Sequence, residues 1–501
     1  MSFKSYLGKI FAEWVGRKNS SWINSPIEAQ EKVLQYLLEK AKGTEYGRLH
    51  QFHKISNYQN FKEHVPLATY EDLRPFMERV KKGEKDILWP GLPLYLSKTS
   101  GTTSGVKYIP LTKESMPTHT KAARDAILAY IAETGNTDFI NGKMIFLQGS
   151  PVLDKSGAVP VGRLSGIVAH YVPKYLQRNR MPSYEVNIIE DWESKVEAIA
   201  RETMKEKMSL ISGIPPWVQM YFEKLLEISG KSSVQEIFPH FSLFIYGGVN
   251  YEPYRNNLEK LIGRKVDSIE LYPASEGFIA YQDSQKEEGM LLLVDAGIFY
   301  EFIAVEDFHN GSLKRISLKD VVLGVNYVLI ISTIAGLWGY NIGDTIKFVS
   351  LKPYRIKVTG RIKHFTSAFG EHVIAEEVER AISAASKKTG VKVVEFHLAP
   401  EVNPPEKELP FHEWFIEFGE APSDLDEFAK ILDEEMVNLN TYYNDLITGK
   451  VLQPLKISMV KRNGFNSFMK TKGKLGGQNK LPRLSNSREI ADELLNWKEE
   501  R

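Results

Sequence analysis

The middle of the chain alternates short segments rich in valine, isoleucine, phenylalanine and tyrosine with longer stretches of helical periodicity. Such alternation favours an α/β fold, in which helices cover at least one mostly parallel sheet. The clearest strand candidates are Met144–Leu147, Leu243–Tyr246, Ser268–Tyr272, Met290–Val294 and Tyr327–Ser332. A chain of 501 residues is too long for one compact core, so we expect two or three domains.

The first hundred residues are predicted to be mostly helical. Ser25-Pro26-Ile27-Glu28 has the pattern of a capping box with proline at the first helical position. The helix that begins there is expected to run to Gly43, where glycine favours the end of a helix.

Residues 360–501 are predicted to form a separate, smaller α+β domain. Its first helix has one apolar face and ends at Gly390; the apolar residues are Ile374, Val378, Ala381, Ile382 and Ala385. Two strands, Lys392–Leu398 and Glu413–Phe418, are expected next, followed by a helix capped by Ser423. The boundary with residues 1–359 is placed at Gly360, because glycine can absorb backbone rotation.

Composition narrows the classes of partner. The 64 lysines and arginines nearly balance the 63 aspartates and glutamates, and a net charge of +1 gives no general attraction for nucleic acid or an anionic membrane. The sequence has no cysteine, which excludes disulfides, thiolate metal ligands and a cysteine nucleophile. Its first residues lack the apolar core of a signal peptide. We therefore expect a soluble, cytoplasmic protein with no nucleic-acid or membrane partner.

One stretch, Val321–Gly343, has no charged residue and is long enough to span a membrane. Its glycines, asparagines and many β-branched residues favour two or three buried strands joined by turns. We therefore expect this stretch to belong to a sheet.

The segment Ser97–Lys107 carries the strongest local signal for chemistry. It follows an apolar run and combines glycines and hydroxyl side chains with two lysines, Lys98 and Lys107. Glycines let backbone N–H groups approach a ligand, while hydroxyls and lysines bind oxyanions, and a triphosphate requires all three. The segment lacks the Gly-Lys-Ser/Thr ending of a Walker A loop, and a solvated surface loop can have the same composition.

Three further segments follow apolar strands, at the end where open α/β sheets bind ligands. Gly247-Gly248 leaves room for a flat ring or a phosphate. Tyr272–Glu276 offers an aromatic face to a base and, in Glu276, an oxygen ligand for Mg²⁺. Tyr340–Asp344 ends in a carboxylate that can accept hydrogen bonds from both hydroxyls of a ribose. Each segment also fits an ordinary turn at the end of a strand.

Signatures of several other enzyme classes do not occur in the sequence. It has no His-Glu-x-x-His zinc site, no Gly-x-Ser-x-Gly nucleophile and no protein-kinase signature. The 11 histidines are scattered, and His364, His372 and His412 are expected to be core or surface residues rather than a metal site.

Together, the order and spacing of these segments resemble the core motifs of the adenylate-forming ligase superfamily. More closely, nearly the whole chain resembles the Gretchen Hagen 3 family of acyl-acid amido synthetases, in its bacterial branch. The supporting segments outside the nucleotide motifs are Thr44–Gly47, Val65–Asp72, Gly83–Leu88, Gly360–Lys363 and Gln478–Arg483. The resemblance implies a large N-terminal α/β domain with parallel sheets and a β-barrel-like part, and a smaller, mobile C-terminal α+β domain.

The resemblance also implies roles for individual residues. The phosphates of ATP would be bound by Ser100, Gly101, Thr102, Thr103 and Lys107. The adenine would lie against Gly248, Val249, Tyr272, Ala274 and Ser275. Glu276 would coordinate Mg²⁺, and Asp344, assisted by Arg361, would hold the ribose. Gly360 and Lys363 would form the hinge, and Lys480 would neutralise charge during adenylation, so the catalytic residues would be Lys480, Glu276 and Lys107.

Two positions depart from the family's pattern or lack a local motif. Asn341 stands where the family usually has arginine, which removes one potential contact to phosphate or ribose. The family's carboxylate-binding arginine lies on the helix after the first motif, and Arg124 is at a suitable distance along the chain to bind the acyl substrate. An arginine on an exposed helix face has the same local sequence.

The implied reaction joins a carboxylic acid to an amine through an acyl-adenylate, with ATP and Mg²⁺ as cofactors and an amino acid as the expected acceptor. Transfer to coenzyme A instead would make the protein an acyl- or aryl-CoA ligase. A nucleotide-binding regulatory protein without turnover is the alternative from a different class, and the set of catalytic-type residues disfavours it. The identities of the acid and the amine, and the oligomeric state, do not follow from the sequence.

Overall fold

The computed structural model describes residues 3–100, 106–172, 177–189, 191–248, 251–362, 365–366, 368–369, 371, 373–402, 404, 408–448, 451–473, 481–485 and 487–499. The chain divides into two compact units. Unit 1 comprises Met1–Ile342 and Ile346–Lys357, and unit 2 comprises Gly343–Thr345 and Val358–Arg501.

Helices dominate the N-terminal part of unit 1. They are α1 (Phe3–Asn24), α2 (Pro26–Ala41), α3 (Glu45–Leu49), α4 (Tyr58–His64) and α5 (Tyr70–Lys81), with a 3₁₀ turn at Phe52–Lys54. Pro26 begins α2 as predicted, but the Ser25 side chain makes no capping hydrogen bond, and Glu28 instead pairs with Lys32 at 2.7 Å. The predicted capping box is therefore wrong, because the carboxylate that should complete it has a closer partner one turn along the helix.

One 12-stranded mixed sheet forms the centre of unit 1. Its neighbours follow the order β12-β11-β13-β14-β15-β10-β9-β8-β7-β6-β3-β5. The strands are β3 (Lys143–Phe146), β5 (Arg180–Met181), β6 (Met208–Ser212), β7 (Leu243–Gly247), β8 (Asp267–Ala274), β9 (Gly277–Tyr281), β10 (Met290–Leu292), β11 (Ile298–Ala304), β12 (Ile316–Ser317), β13 (Asn326–Thr333), β14 (Tyr340–Leu351) and β15 (Tyr354–Arg361). All five strand candidates lie in this sheet, with ends shifted by at most two residues.

The sheet has a parallel half and an antiparallel half. Strands β5, β3, β6, β7 and β8 pair in parallel, whereas β8–β9, β9–β10, β10–β15, β11–β12 and β11–β13 pair antiparallel. The uncharged stretch Val321–Gly343 supplies β13 and the start of β14, as predicted. Among the residues that the structure describes, no helix is long and apolar enough to cross a membrane.

Helices and a small second sheet cover the large one. The helices are α6 (Met116–Thr134), α7 (Leu164–Ala169), Tyr184–Asn187, Trp192–Thr203, Pro215–Ser229, Val234–Ile237, Glu252–Ile262 and Val305–His309, with 3₁₀ turns at Asp138–Asn141 and Leu318–Asp320. The small sheet has the order β2-β1-β4, formed by β1 (Tyr95–Ser100), β2 (Val106–Leu111) and β4 (Val161–Gly162). The main hydrophobic core lies between α1–α6 and the strands of the large sheet.

Unit 2 is an α+β structure. Its sheet has the order β18-β19-β20, formed by β18 (Val393–Glu401), β19 (Phe411–Phe418) and β20 (Lys456–Val460), and β16 (Phe365–Thr366) pairs with β17 (Val373–Ile374). Its helices are Ala375–Thr389, Leu425–Leu439, Thr441–Thr448, Gly464–Thr471 and Glu489–Leu494, with a 3₁₀ turn at Leu495–Trp497. Gly390 ends the first helix in the left-handed conformation, as predicted.

One cap in unit 2 differs from the prediction. Asp424, not Ser423, caps the helix Leu425–Leu439, because its carboxylate accepts the Glu427 N–H at 2.9 Å. Adjacent serine and aspartate residues are both good caps, and the local sequence does not distinguish them.

Candidate active site

The parallel strands β3, β6, β7 and β8 end at one edge of the large sheet. Ligands in open α/β sheets bind beyond the carboxyl ends of such strands. Gly247-Gly248 follows β7 at this edge, and Tyr272–Glu276 spans the end of β8 and the turn after it. The sheet therefore brings two of the sequence-predicted segments together.

Glycine is required at the end of β7. A Cβ atom on Gly247 would lie 2.4 Å from the Leu271 carbonyl oxygen, which is closer than atoms can approach. Gly248 has φ +75°, a left-handed conformation that side chains disfavour. The register pairs Gly247 with Leu271, so the glycines lie beside Tyr272. Glycine at 247 is thus explained by the close approach of β8, while Gly248 is exposed at this edge.

Ser275 and Glu276 form the turn between β8 and β9. The register pairs Ala274 with Gly277, which leaves these two residues at the tip. The Ser275 hydroxyl lies 2.8 Å from the Ser97 hydroxyl, and both side chains are buried. Because Ser97 lies on β1, this contact connects the predicted phosphate-binding segment to the turn that carries Glu276.

Strands β1 and β2 form a hairpin that contains both ends of the segment predicted to bind phosphate. Thr99 pairs with Lys107, and Ser100 with Val106. Lys107 therefore lies at the base of the connection, with its Nζ 5.6 Å from the centroid of the Tyr70 ring. The Tyr70 hydroxyl accepts the Tyr108 N–H at 2.9 Å, which fixes the start of β2 against α5.

Several residues with predicted roles lie outside the described residues. They are the ATP contacts Gly101, Thr102, Thr103 and Val249, the hinge residue Lys363 and the catalytic residue Lys480. Ser100 and Arg361 lie in described strands, but their side chains are not described. The described hairpin includes Ser100 and Val106, on either side of residues 101–105. The roles predicted for all of these residues stay predictions.

Tyr272 is only 7% exposed and packs in the main core. A base could therefore meet only a small part of this side chain, and Ala274 and Glu276, which are partly exposed, offer more surface. The stacking face that the sequence predicts at Tyr272 is largely covered by the protein's own core.

The third segment connects to the N-terminal helices through β14. The Asn341 N–H donates to the Ala68 carbonyl at 2.8 Å, and the Ala68 N–H donates to the Gly339 carbonyl at 2.8 Å. The segment Val65–Asp72 thus pairs with the start of β14. An arginine at position 341 would keep these backbone bonds, so the departure from the family's pattern changes only the side chain.

Asp344 lies in unit 2 and is 6% exposed. It follows Gly343, which has φ +86°, and the Gly343 carbonyl accepts the Ile362 N–H at 2.8 Å. The next residue, Thr345, accepts a hydroxyl hydrogen bond from Thr359 at 2.9 Å. These bonds attach the Asp344 segment to the end of β15.

The backbone at the predicted hinge is restricted to glycine. Gly360 has φ +150°, and a Cβ atom there would lie 3.2 Å from the Ala375 side chain. A residue with a side chain would therefore be strained at this position. The predicted role of Gly360 in a hinge stays a prediction.

Arg124 lies on α6 and already has partners. Its guanidinium is 2.7 Å from Asp125 Oδ1 and lies over the Phe11 ring of α1 at 5.7 Å. The side chain is 48% exposed. Its predicted contact with the acyl substrate stays a prediction, and it would require Arg124 to leave or share these contacts.

A polar cluster at the same sheet edge was not predicted. It consists of Gln148, Arg163, Ser165, Asn187 and Lys195. Lys195 gave a signal in the sequence, because it belongs to the buried face of a helix with Val196, Ile199, Ala200 and Thr203. A lysine on an apolar helix face is rarely left without a partner.

Metal binding by the protein alone has no support in the part of the chain that the structure describes. It contains no group of three histidine, aspartate or glutamate side chains that could hold a metal ion. A single carboxylate such as Glu276 is nevertheless a sufficient protein ligand when Mg²⁺ is also bound by substrate phosphates.

Three family descriptions match most of the chain. The GH3 family N-terminal domain matches residues 20–186 and 152–266, the central domain 291–361 and the C-terminal domain 376–489. Jasmonoyl-L-amino acid synthetase JAR6 of Nicotiana attenuata is 23% identical over 536 aligned positions, which cover 91% of this chain and 90% of that protein.

Two solved structures share the fold. A GH3.15 acyl acid amido synthetase has a TM-score of 0.78 at 17% identity and covers 94% of both chains. A 2-hydroxyisobutyryl-CoA ligase in its postadenylation state, with 2-HIB-AMP, has a TM-score of 0.61 at 12% identity and covers 93% of this chain and 91% of that one. With the three family domains in order along it, the chain belongs to the GH3 family.

Proposed function

We propose that the protein is an ATP-dependent ligase that activates a carboxylic acid as its acyl-adenylate and transfers the acyl group to an amino acid. The observation that carries this proposal is the 2.8 Å contact between Ser97 and Ser275, which joins the hairpin proposed to bind phosphate to the turn carrying Glu276. Named relatives, among them a jasmonoyl-L-amino acid synthetase, support the same reaction.

The proposed nucleotide contacts are carried by several described residues. Gly247 and Gly248 are partly exposed after β7, and Lys107 at the base of the hairpin supplies positive charge. Glu276 would hold Mg²⁺, which would supply charge neutralisation to the phosphates. Asp344 would accept the ribose hydroxyls.

In the first step, a carboxylate oxygen of the acid attacks the α-phosphorus of ATP, and pyrophosphate leaves. The protein's contribution is to orient the two reactants and to stabilise the negative charge that builds up on the phosphates. Lys107 and Lys480 are the residues proposed for that stabilisation.

In the second step, the amine nitrogen attacks the acyl carbonyl, an amide bond forms, AMP leaves with the electrons of the C–O bond, and the amine loses a proton. Rotation of unit 2 about Gly360 and Lys363 would switch the site from an arrangement for adenylation to one for acyl transfer, and it would exclude water from the adenylate. ATP and free amino acids are abundant in the cytoplasm, which is the compartment that we propose.

Pyrophosphate exchange tests the proposal directly. The full chain is incubated with ATP, labelled pyrophosphate and a panel of aryl, indole-type and fatty acids. We expect exchange that depends on one class of acid, followed by amide formation when amino acids are added. If no acid supports exchange, the enzyme hypothesis fails. If thioesters form with coenzyme A and no amides form with any amino acid, the protein is an acyl-CoA ligase instead.

The role of Lys480 has its own test. Lys480→Ala should abolish exchange and leave the reaction of a supplied acyl-adenylate with the amine largely intact. Lys472→Ala is the matched control, because Lys472 is an exposed lysine of the same unit that pairs with Glu493 at 2.7 Å. Equal loss of both half-reactions in Lys480→Ala would remove the proposed role.

A further inference from the structure

A cluster of basic and amide side chains lies near the end of β3, which we call the basic cluster: Gln148, Arg163, Ser165, Asn187 and Lys195. Lys195 is 2% exposed, and its Nζ donates to the Asn187 carbonyl at 2.6 Å and the Gln148 carbonyl at 3.2 Å. These bonds hold the ammonium group beside the backbone that follows β3.

Arg163 and Ser165 approach the same backbone from the N-terminus of α7. A Cβ atom on Gly149 would lie 3.0 Å from Cδ and 3.9 Å from Nε of Arg163, and 3.7 Å from Oγ of Ser165. A Cβ atom on Gly166 would lie only 2.5 Å from the Ser150 carbonyl oxygen, so α7 packs closely against this backbone. The side chains from α7 and the helix Trp192–Thr203 therefore converge on residues 148–150.

The cluster contains positive charge and unused hydrogen-bonding groups. The Arg163 guanidinium makes no ion pair or hydrogen bond within the described ranges. Three buried atoms also have no partner there: Gln148 Nε2, Ser165 Oγ and Asn187 Oδ1. Burial, and then the nearby charge of Arg163, lowers the pKa of Lys195 to about 8. Burial also lowers the pKa of Arg163.

A buried ammonium beside a half-buried guanidinium is unfavourable in a structural core when no carboxylate is near, because neither the desolvation nor the repulsion between the two charges is offset. Unsatisfied buried donors add to the unfavourable energy. An anion with two acceptor oxygens would satisfy the donors of the cluster, since a guanidinium, an ammonium, a hydroxyl and an amide N–H₂ all donate to a carboxylate.

The position of the cluster connects it to the proposed active site. Arg163 directly follows Gly162, which pairs with Ser97 in the small sheet, and the Ser97 hydroxyl contacts Ser275. Gln148 follows β3 at the carboxyl edge that also carries Gly247-Gly248. A ligand in the basic cluster would thus lie next to the proposed adenylation site rather than on a remote surface.

We propose that Arg163, Lys195, Ser165 and Gln148 form a subsite for a substrate carboxylate, and that Asn187 accepts a hydrogen bond from the amine of the same molecule. This inference rests on the proposed function. Four donors beside one acceptor, Asn187 Oδ1, match an amino acid, because an amino acid carries both a carboxylate and an amine. A second carboxylate on the acid substrate has the same chemistry and is distinguished by the experiment.

The experiment compares the full-length chain with Arg163→Met, Arg163→Lys and Lys195→Met. Arg201→Met is the matched control, because Arg201 lies on the same helix as Lys195 and forms an exposed pair with Glu197. Two rates are measured: acid-dependent pyrophosphate exchange, and amide formation as a function of amino-acid concentration.

If the subsite binds the amino acid, Arg163→Met and Lys195→Met raise the KM for the amino acid about tenfold to a hundredfold, the effect of losing a hydrogen bond to a charged group, and leave exchange unchanged. Arg163→Lys gives a smaller rise, because it keeps the charge and loses the planar fork. In the wild type, an amino-acid amide should be a poorer acceptor than the acid form, and Arg163→Met should remove that preference.

If the carboxylate belongs to the acid, the KM for the acid in exchange rises instead and the amino-acid KM stays constant. That outcome would keep the carboxylate subsite and assign its ligand to the acid substrate instead of the amino acid. Unchanged KM values for both substrates in folded variants would overturn the proposal.

A second measurement does not depend on turnover. Thermal unfolding of the wild type is compared in sodium acetate and in sodium chloride at equal ionic strength. We expect acetate to raise Tm in the wild type and in Arg201→Met but not in Arg163→Met. If acetate raises Tm but no acid supports pyrophosphate exchange, the anion site stands and the ligase activity is rejected. If exchange occurs but neither the acetate effect nor the KM changes are seen, the ligase activity stands and the anion site is rejected.

Discussion

Unit 1 contains two arginines in opposite situations, one buried and one half-buried. Arg315 is 7% exposed, and its guanidinium lies 3.2 Å from the Glu301 carboxylate and 2.9 and 2.6 Å from the carbonyls of Lys62 and Val65. Arg163 is half-buried near Gly149, Ser165 and the Lys195 ammonium, and its guanidinium has no such acceptor within the described part of the chain. A guanidinium surrounded by acceptors serves the fold, and one surrounded by donors is suited to a ligand.

The surroundings of Arg315 explain its structural role. Lys62 and Val65 belong to the C-terminal end of α4, where helix carbonyls lack partners, and Glu301 lies on β11. Arg315 therefore connects a helix terminus to the sheet while neutralising a buried carboxylate. Glu301 is fully buried, so it depends on Arg315 for compensation of its charge.

The largest expected effect tests this contrast through stability. Arg315→Met leaves the Glu301 carboxylate buried without its cation and should lower the free energy of unfolding by about 3–5 kcal/mol. Arg163→Met removes one of two repelling charges and should leave stability unchanged or raise it. Urea unfolding of both variants and the wild type measures the difference. An equal loss in both variants would mean that Arg163 is also structural, and the contrast would disappear.

The next effect concerns how the basic cluster makes the free energy of unfolding depend on pH. Burial lowers the pKa of Lys195 to about 8, below the value of about 10.4 expected for the unfolded chain. Between these values the unfolded state binds more protons, so stability rises with pH over that window, by about 3 kcal/mol in total. The contribution is constant below pH 8, where Lys195 is charged in both states.

The measurement is the difference in unfolding free energy between the wild type and Lys195→Met from pH 7 to 10. Other groups, including the buried tyrosines, titrate equally in both proteins and cancel. We expect the difference to shift in favour of the wild type as pH rises. A flat difference would show that Lys195 already has a counterion or contacts water, and would weaken the case for an open subsite.

The parts of this fold that the sequence predicts are those set by local patterns. Runs of β-branched residues place the strands of the large sheet, and Gly248 and Gly390 mark backbone conformations that only glycine adopts freely. Neighbouring residues with equal local propensity are not resolved in this way, as the exchange of Ser423 for Asp424 as a cap illustrates.

The basic cluster could not be predicted because its members come together only through tertiary packing. Gln148, Arg163 and Asn187 lie in loops or at helix ends of ordinary composition, and nothing local indicates that they are buried. Lys195 alone interrupts an apolar helix face. The contact between Ser97 and Ser275 spans 178 positions, and it depends on how the hairpin packs against the end of β8.

The smallest expected effect concerns a third arginine, Arg124, which is half-exposed. Arg124→Met should cost less than about 1 kcal/mol, because exposed ion pairs contribute little and Asp125 keeps other partners. Lys121 Nζ is 3.5 Å and Asn19 Nδ2 is 3.3 Å from the Asp125 carboxylate. This variant therefore isolates a functional effect from a structural one.

The role predicted for Arg124 from the sequence requires that Arg124→Met raise the KM for the acid about tenfold or more in pyrophosphate exchange. With the stability change so small, such a rise would assign the acid's carboxylate to Arg124 and leave the basic cluster to the amino acid. The double variant Arg124→Met/Arg163→Met would then show independent effects on the two substrates. If instead the acid KM rises only when Arg163 is replaced, the acid binds in the basic cluster, and Arg124 serves only to hold α6 against α1.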